Sequence, residues 1–118
     1  MAHMIPPAEF EAILEKAGEL TELVREYAAG KSLAGPNASE TTVKLHEETL
    51  TLQLSMMATI QNVELPEKAL FTSLGDLSGS LLAQAINTDH VELMRIMFSQ
   101  MRSTFEQVTE AARPVGNA

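Results

Sequence analysis

The chain has 118 residues, which is enough for one hydrophobic core and too few for two. Apolar residues make up 45% of it, but only four Phe and one Tyr are aromatic, so Leu, Ile, Val, Ala and Met must fill the interior, a mix that favours helices. Sixteen acids against eight scattered bases give a net charge of −8 and no basic stripe, which argues against direct contact with nucleic acid or an anionic membrane surface.

Cysteine is absent, so the sequence offers neither a disulfide framework nor a thiolate for metal or nucleophilic chemistry, in keeping with a reducing cytoplasm. No apolar run approaches the roughly 18 residues of a membrane span, and no signal peptide is evident. The expectation is a soluble, cytoplasmic protein. Met1-Ala2-His3-Met4 reads as a cloning remnant ahead of a start at Met4, leaving 5–118 as a single helical domain. The acidic balance could serve a basic partner or mimic DNA; the plainer reading is solubility.

Pro6-Pro7 followed by Ala8-Glu9 marks a first helix, expected over 8–28, with proline tolerated in the first turn and early acids facing the positive end of the helix dipole. Phe10, Ile13, Leu14, Ala17, Leu20, Val24 and Tyr27 recur at helical spacing, with Glu11, Glu15, Glu19, Glu22 and Glu26 on the opposite side. The segment AAGKSLAGPNAS, 28–39, concentrates Gly, Pro, Ser and Asn and reads as the longest loop.

A second helix is expected over 38–62, opened by Asn37 as cap with Glu40 three residues on. Thr49 to Met56 alternates polar and apolar residues as a strand does, yet no other segment offers a pairing partner. On a helix, Val43, Leu50, Leu54 and Met57 fall on one side, and Leu45, Leu52, Met56, Ile60 and Val63 fall roughly on the other. The alternation therefore describes a helix with two apolar stripes.

Pro66 sits at or near the start of a third helix, expected over 66–86, with Leu70, Leu74, Leu77, Leu81 and Ala85 in line. Gly75 and Gly79 each weaken a helix by about 1 kcal/mol relative to Ala, so they imply either close approach of another helix, the favoured reading, or a break within LGDLSGS, 74–80. Asp89 with Glu92 caps a fourth helix over 90–112. Its main stripe is Val91, Met94, Phe98, Met101, Phe105, Val108 and Ala112; Leu93, Ile96 and Met97 give its first half a second apolar side, and Pro114 ends it. The fold class is all-α, a compact antiparallel bundle of about four helices, expected to be dimeric.

Each catalytic template lacks a part. His46 and His90 belong to neither HExxH nor Glu-x-x-His, since Val43 and Asn87 stand three residues before them. Ser78 is out of register for GxSxG and has no preceding strand. No phosphate-binding glycine motif occurs. The expectation is no catalytic residue, no metal and no cofactor, hence no enzyme.

Five apolar side chains left in water would forfeit on the order of 10 kcal/mol, comparable with a small domain's whole stability. The second stripe must be covered, either inside a monomeric bundle or by another polypeptide. The methionines, adaptable and polarizable, suit a binding face as well as a core. Leu45, Leu52, Met56, Ile60, Val63, Leu93, Ile96 and Met97 are the candidate partner-binding residues, with a homodimer as the simplest form. A secretion chaperone or adaptor, and a bundle enclosing a small apolar ligand, are the alternatives.

The segments FEAILEKAGELTELVREYAAG, 10–30, and LTLQLSMMATIQNVELPEKALFTSLGDLSGSLLAQAIN, 50–87, in a small, acidic, cysteine-free helical chain, resemble the small bacterial helical regulators of the quorum-sensing anti-activator type. The resemblance implies a protein that binds a LuxR-type transcription factor and blocks its dimerisation, without touching DNA or autoinducer chemistry. It assigns no individual residue a role.

Overall fold

A computed structural model describes residues 8–32 and 34–112. A short 3-10 turn, Ala8–Phe10, leads into four α-helices: α1 (Glu11–Ala28), α2 (Glu40–Asn62), α3 (Glu67–Gln84) and α4 (His90–Ala111). No strand occurs among the described residues, so the protein is all-α, as its composition and periodicity predict. The proposed remnant at 1–4, the Pro6-Pro7 start signal and the Pro114 stop lie outside the described residues. The chain divides into two units, Ile5–Ala69 and Leu70–Ala118.

In the first unit α1 packs on α2. The buried positions at this contact are small: Ala28 is fully enclosed and Thr51 is 3% exposed. Thr51 satisfies its hydroxyl on its own helix, donating to the Glu47 carbonyl at 2.8 Å. Ser55 Oγ is enclosed one turn further on without a partner. Around them Thr21 and Val24 of α1, and Val43, Leu50, Leu54 and Ala58 of α2, are half-buried. Small residues let the two backbones approach closely, but they remove little apolar area from water.

The alternating segment is helical throughout. Its buried Thr51 and half-buried Val43, Glu47, Leu50, Leu54, Ser55 and Ala58 recur at helical spacing and form one stripe. Leu45, Leu52 and Met56 lie on the opposite side and are exposed, as is Val63, which follows the helix with an extended backbone. At 100° per residue, a strict i, i+2 run lands alternately on two faces about half a turn apart, which is how a helix comes to read like a strand. Met57, expected with the packed stripe, lies at its edge and is exposed.

Polar contacts fix how α1 meets α2. Arg25 donates from Nε and Nη2 to the two carboxylate oxygens of Glu48, at 2.7 and 3.1 Å, and also reaches Glu22 one turn back on its own helix. The hydrogen bonds from Arg25, and secondarily its charge, hold the Glu48 carboxyl below the usual carboxylate range, while Glu48 raises Arg25. Just past α1, Gly30 takes a left-handed φ of 78° that a side chain would oppose, and its N–H donates to Glu47 Oε2 at 2.7 Å. Lys31 folds back, donating to the Tyr27 carbonyl at 2.9 Å with its ammonium 4.3 Å from the centre of the Tyr27 ring.

The cap of α2 is Ser39 rather than Asn37. Ser39 has the extended backbone of a capping residue, and its Oγ accepts the Thr42 N–H at 3.2 Å, so Glu40 opens the helix instead of closing a capping box.

In the second unit α3 follows directly on Pro66 and runs unbroken through 74–80. The favoured explanation of its glycines needs correction. A Cβ at Gly75 or Gly79 would meet nothing within 4 Å, so these residues neither interrupt the helix nor admit a close neighbour. Leu70, Leu74, Leu77 and Leu82 are half-buried, Ser80 is buried, and Phe71 and Leu81 are exposed. Asp89 caps α4 as expected, its Oδ2 accepting the Glu92 N–H at 3.2 Å. His90 Nε2 donates to the Ala85 carbonyl at 3.0 Å, joining the end of α3 to the start of α4. Arg95 holds Glu92 through two hydrogen bonds of 2.9 and 2.7 Å, which raise the pKa of its guanidinium.

Candidate apolar interaction faces

Large apolar side chains are exposed on each of the four helices, and two of the faces they form, one in each unit, are extended stripes. The first is the outer stripe of α2. Leu45, Thr49, Leu52, Met56 and Thr59 repeat at intervals of four and three residues, so they fall on a single line about 21 Å long at 1.5 Å per residue, and Val63 follows just past the helix end with an extended backbone. Leu45 is 63% exposed and Leu52 60% exposed. Thr49 and Thr59 donate their hydroxyls to the carbonyls of Leu45 and Ser55, at 2.8 and 3.0 Å, so these polar groups are satisfied within the helix. Ile60, included with this stripe on sequence grounds, lies to one side and is half-buried.

The second face belongs to α4. Val91, Met94, Phe98, Met101, Phe105 and Val108 are all exposed, Phe98 at 62% and Phe105 at 67%. Alongside them an open apolar trough of 730 Å³ runs from Ile96 to Val108, with Gln100 and Thr104 its polar members. Of the α4 residues singled out from the sequence, Leu93 and Met97 are half-buried and Ile96 is exposed. The structure thus groups Leu45, Leu52 and Met56 on one face of α2, leaves Val63 exposed beyond the helix end, and separates Leu93 and Met97 from the broad stripe that α4 presents. That stripe was visible as a periodic line; periodicity alone gave no means of ranking it against the shorter Leu93, Ile96, Met97 side.

Polar chemistry is sparse. A pocket of 350 Å³ at the start of α2 is lined by Lys31, His46, Thr49, Leu50 and Gln53, mainly apolar surface with a few donors at its rim. Among the described residues no three His, Asp or Glu side chains are arranged to hold a metal ion, and no helix is long and apolar enough to cross a membrane. The bases are largely engaged: Lys16, Arg25, Lys44, Arg95 and Arg102 each lie within 4 Å of a carboxylate. Positive charge occupied in this way is poorly placed to displace counterions from a phosphate backbone.

What the fold and these faces define is an all-helical protein with exposed apolar helix faces. Comparison with protein-family models, with curated proteins and with solved structures found no match.

Proposed function

We propose that the chain is a non-enzymatic regulator that lays an apolar helix face into the hydrophobic interface of a partner protein. The partner is a transcription factor of the LuxR type, whose own dimerisation is blocked when its interface is occupied, as the resemblance to QslA-type anti-activators implies. The observation that carries this reading is the outer stripe of α2: a line of Leu45, Leu52 and Met56, exposed on the side of the helix away from the face that α1 covers. An amphipathic helix presenting anchors at such spacing is a recurrent way to fill a groove. Aliphatic and methionine side chains adapt to an interface built for something else, which is what a competitor for another protein's dimer contact requires.

The acidic balance and the pairing of bases with carboxylates support action on the protein rather than on its DNA. The test is titration of a purified LuxR-type ligand-binding domain with this protein, followed by light scattering. Appearance of a mixed complex with loss of the domain's own dimer is the expected result, and Leu52→Glu should prevent it. A domain that stays dimeric and unbound at tens of micromolar contradicts the proposal.

A further inference from the structure

We propose that the pocket at the start of α2 binds a small organic monoanion, a carboxylate carried on a short aliphatic body. His46, Thr49, Leu50 and Gln53 stand at positions i, i+3, i+4 and i+7, so one face of α2 supplies four of the lining residues. Lys31 joins them from the turn that follows α1. All five belong to the Ile5–Ala69 unit.

The chain holds Lys31 in place before any ligand arrives. Gly30 takes its left-handed φ of 78° with its N–H anchored on Glu47 Oε2 of α2 at 2.7 Å, and the Lys31 N–H donates to the Ala28 carbonyl at 3.0 Å. The ammonium is fixed in turn by the Tyr27 carbonyl at 2.9 Å and by the Tyr27 ring. A carbonyl and a ring orient a cation without neutralising it, so Lys31, unlike Arg25 or Arg95, keeps its charge available to an anion. An ammonium has three N–H groups, of which the Tyr27 carbonyl uses one. Beside it, the His46 ring and the Gln53 amide form no hydrogen bond with the described residues, and each has an N–H to offer. A cation ordered in advance lowers the entropic cost of binding.

Charge and size choose the ligand. The chain carries −8 and Glu47 adjoins the site, so one available ammonium matches a single negative charge. A phosphate group, at about −1.5 to −2, would leave an excess of negative charge beside Glu47. The wall is mainly apolar, with Leu50 half-buried and the Thr49 hydroxyl already spent on the Leu45 carbonyl at 2.8 Å. Such a wall favours a hydrocarbon body over a sugar or a peptide, whose polar groups would lose water and gain no partner. The volume of 350 Å³ lies at the lower end of the ~300–1,000 Å³ of small-molecule pockets. At about 30 Å³ for each water-sized group, it admits roughly a dozen non-hydrogen atoms, a size that octanoate satisfies.

This inference goes beyond the Proposed function and does not rest on it. The probe is octanoate, titrated into the isotope-labelled native chain and followed by the amide resonances, with millimolar affinity expected for so few atoms. Saturable shifts should appear at Lys31, His46, Leu50 and Gln53 and be absent along α4. Octanol, which has the same body without the charge, should bind at least about fivefold more weakly, since a charge-assisted hydrogen bond is lost. Lys31 is exposed and outside the helices, so Lys31→Met should keep the native spectrum elsewhere and weaken octanoate to the level of the alcohol, while Lys31→Arg should retain it. Octanol binding as tightly as octanoate overturns the proposal, as does full affinity in Lys31→Met. So do shifts that rise without saturation and spread over the exposed apolar faces of α1 and α4. Inorganic phosphate should move the same amides less than octanoate does; an equal or larger response would mark a general anion contact and also overturn it. Octanoate binding is read on the free chain, so its failure is distinguishable from failure to capture a LuxR-type domain through Leu52.

Discussion

Two leucines on α2, two residues and so a little over half a turn apart, should respond oppositely to the same change. Leu52 is 60% exposed on the outer stripe and Leu54 is half-buried on the stripe that α1 covers. Full burial of a leucine contributes about 1.5–3 kcal/mol, so the free chain holds only about 0.6–1.2 kcal/mol of Leu52, and about 0.9–1.8 kcal/mol becomes available when a partner covers it. A glutamate there must in addition be stripped of water without a partner, which brings the loss in the complex to at least ~2 kcal/mol, about thirtyfold in affinity. Leu54→Glu instead forces a carboxylate against α1 beside Thr51 and Ser55, where ~2–4 kcal/mol of folding stability is at stake.

Thermal unfolding followed by circular dichroism, with titration of the LuxR-type domain in parallel, separates the two effects. Leu52→Glu should keep its helicity, melt within a few degrees of the native chain, and fail to bind. Leu54→Glu should melt lower by roughly 10 °C or more, at about 4–8 °C per kcal/mol for a chain of this size. Equal loss of melting temperature in both variants would show that the outer stripe is core and refute the division of α2 into a packed and a presented face.

Other changes test the fold that positions these faces. Gly30→Ala, at a φ of 78°, should cost about 1–2 kcal/mol, measured as a lower melting temperature. Gly75→Ala and Gly79→Ala, where a Cβ meets open space inside a continuous helix, should each raise stability by about 0.4–1 kcal/mol; a drop would point to a neighbour pressed against α3. Ser39→Ala removes the acceptor of the Thr42 N–H and should cost about 1 kcal/mol, whereas Asn37→Ala should change little. The Glu48 pKa is depressed in the folded chain, so its contribution is present above the ordinary carboxylate range and fades as pH falls through that range and below it. The native chain should therefore lose more stability on acidification than Glu48→Gln does, and parallel acid curves for the two would contradict the Arg25 contact.

Much of the helical layout is legible in the sequence because its signals are local. The boundaries of α2 and α4 follow from polar caps and hydrophobic spacing, and these two helices fall within two residues of their expected limits, whereas α1 begins three residues later than expected, after a 3-10 turn. The exchange of Asn37 for Ser39 reflects two capping-competent side chains two residues apart, between which only the backbone geometry chooses. The contacts of Arg25 with Glu48 and of Gly30 with Glu47 join residues 23 and 17 apart, and no periodic pattern announces them. For the faces themselves, the double stripe of α2 follows from residues 43–63, while which α4 side stays open depends on where Leu93 and Met97 come to rest. The glycine pair misled because spacing shows where small residues align on a helix but not whether anything approaches them.

The most direct test is hydroxyl-radical footprinting of Leu52 and Met56 while the chain is titrated with a purified LuxR-type ligand-binding domain. Labelling that is strong in the free chain and is lost as the domain is added is the predicted result. Labelling that the domain leaves unchanged, whether high throughout or low throughout, would contradict the claim that the outer stripe of α2 is the face presented to a partner.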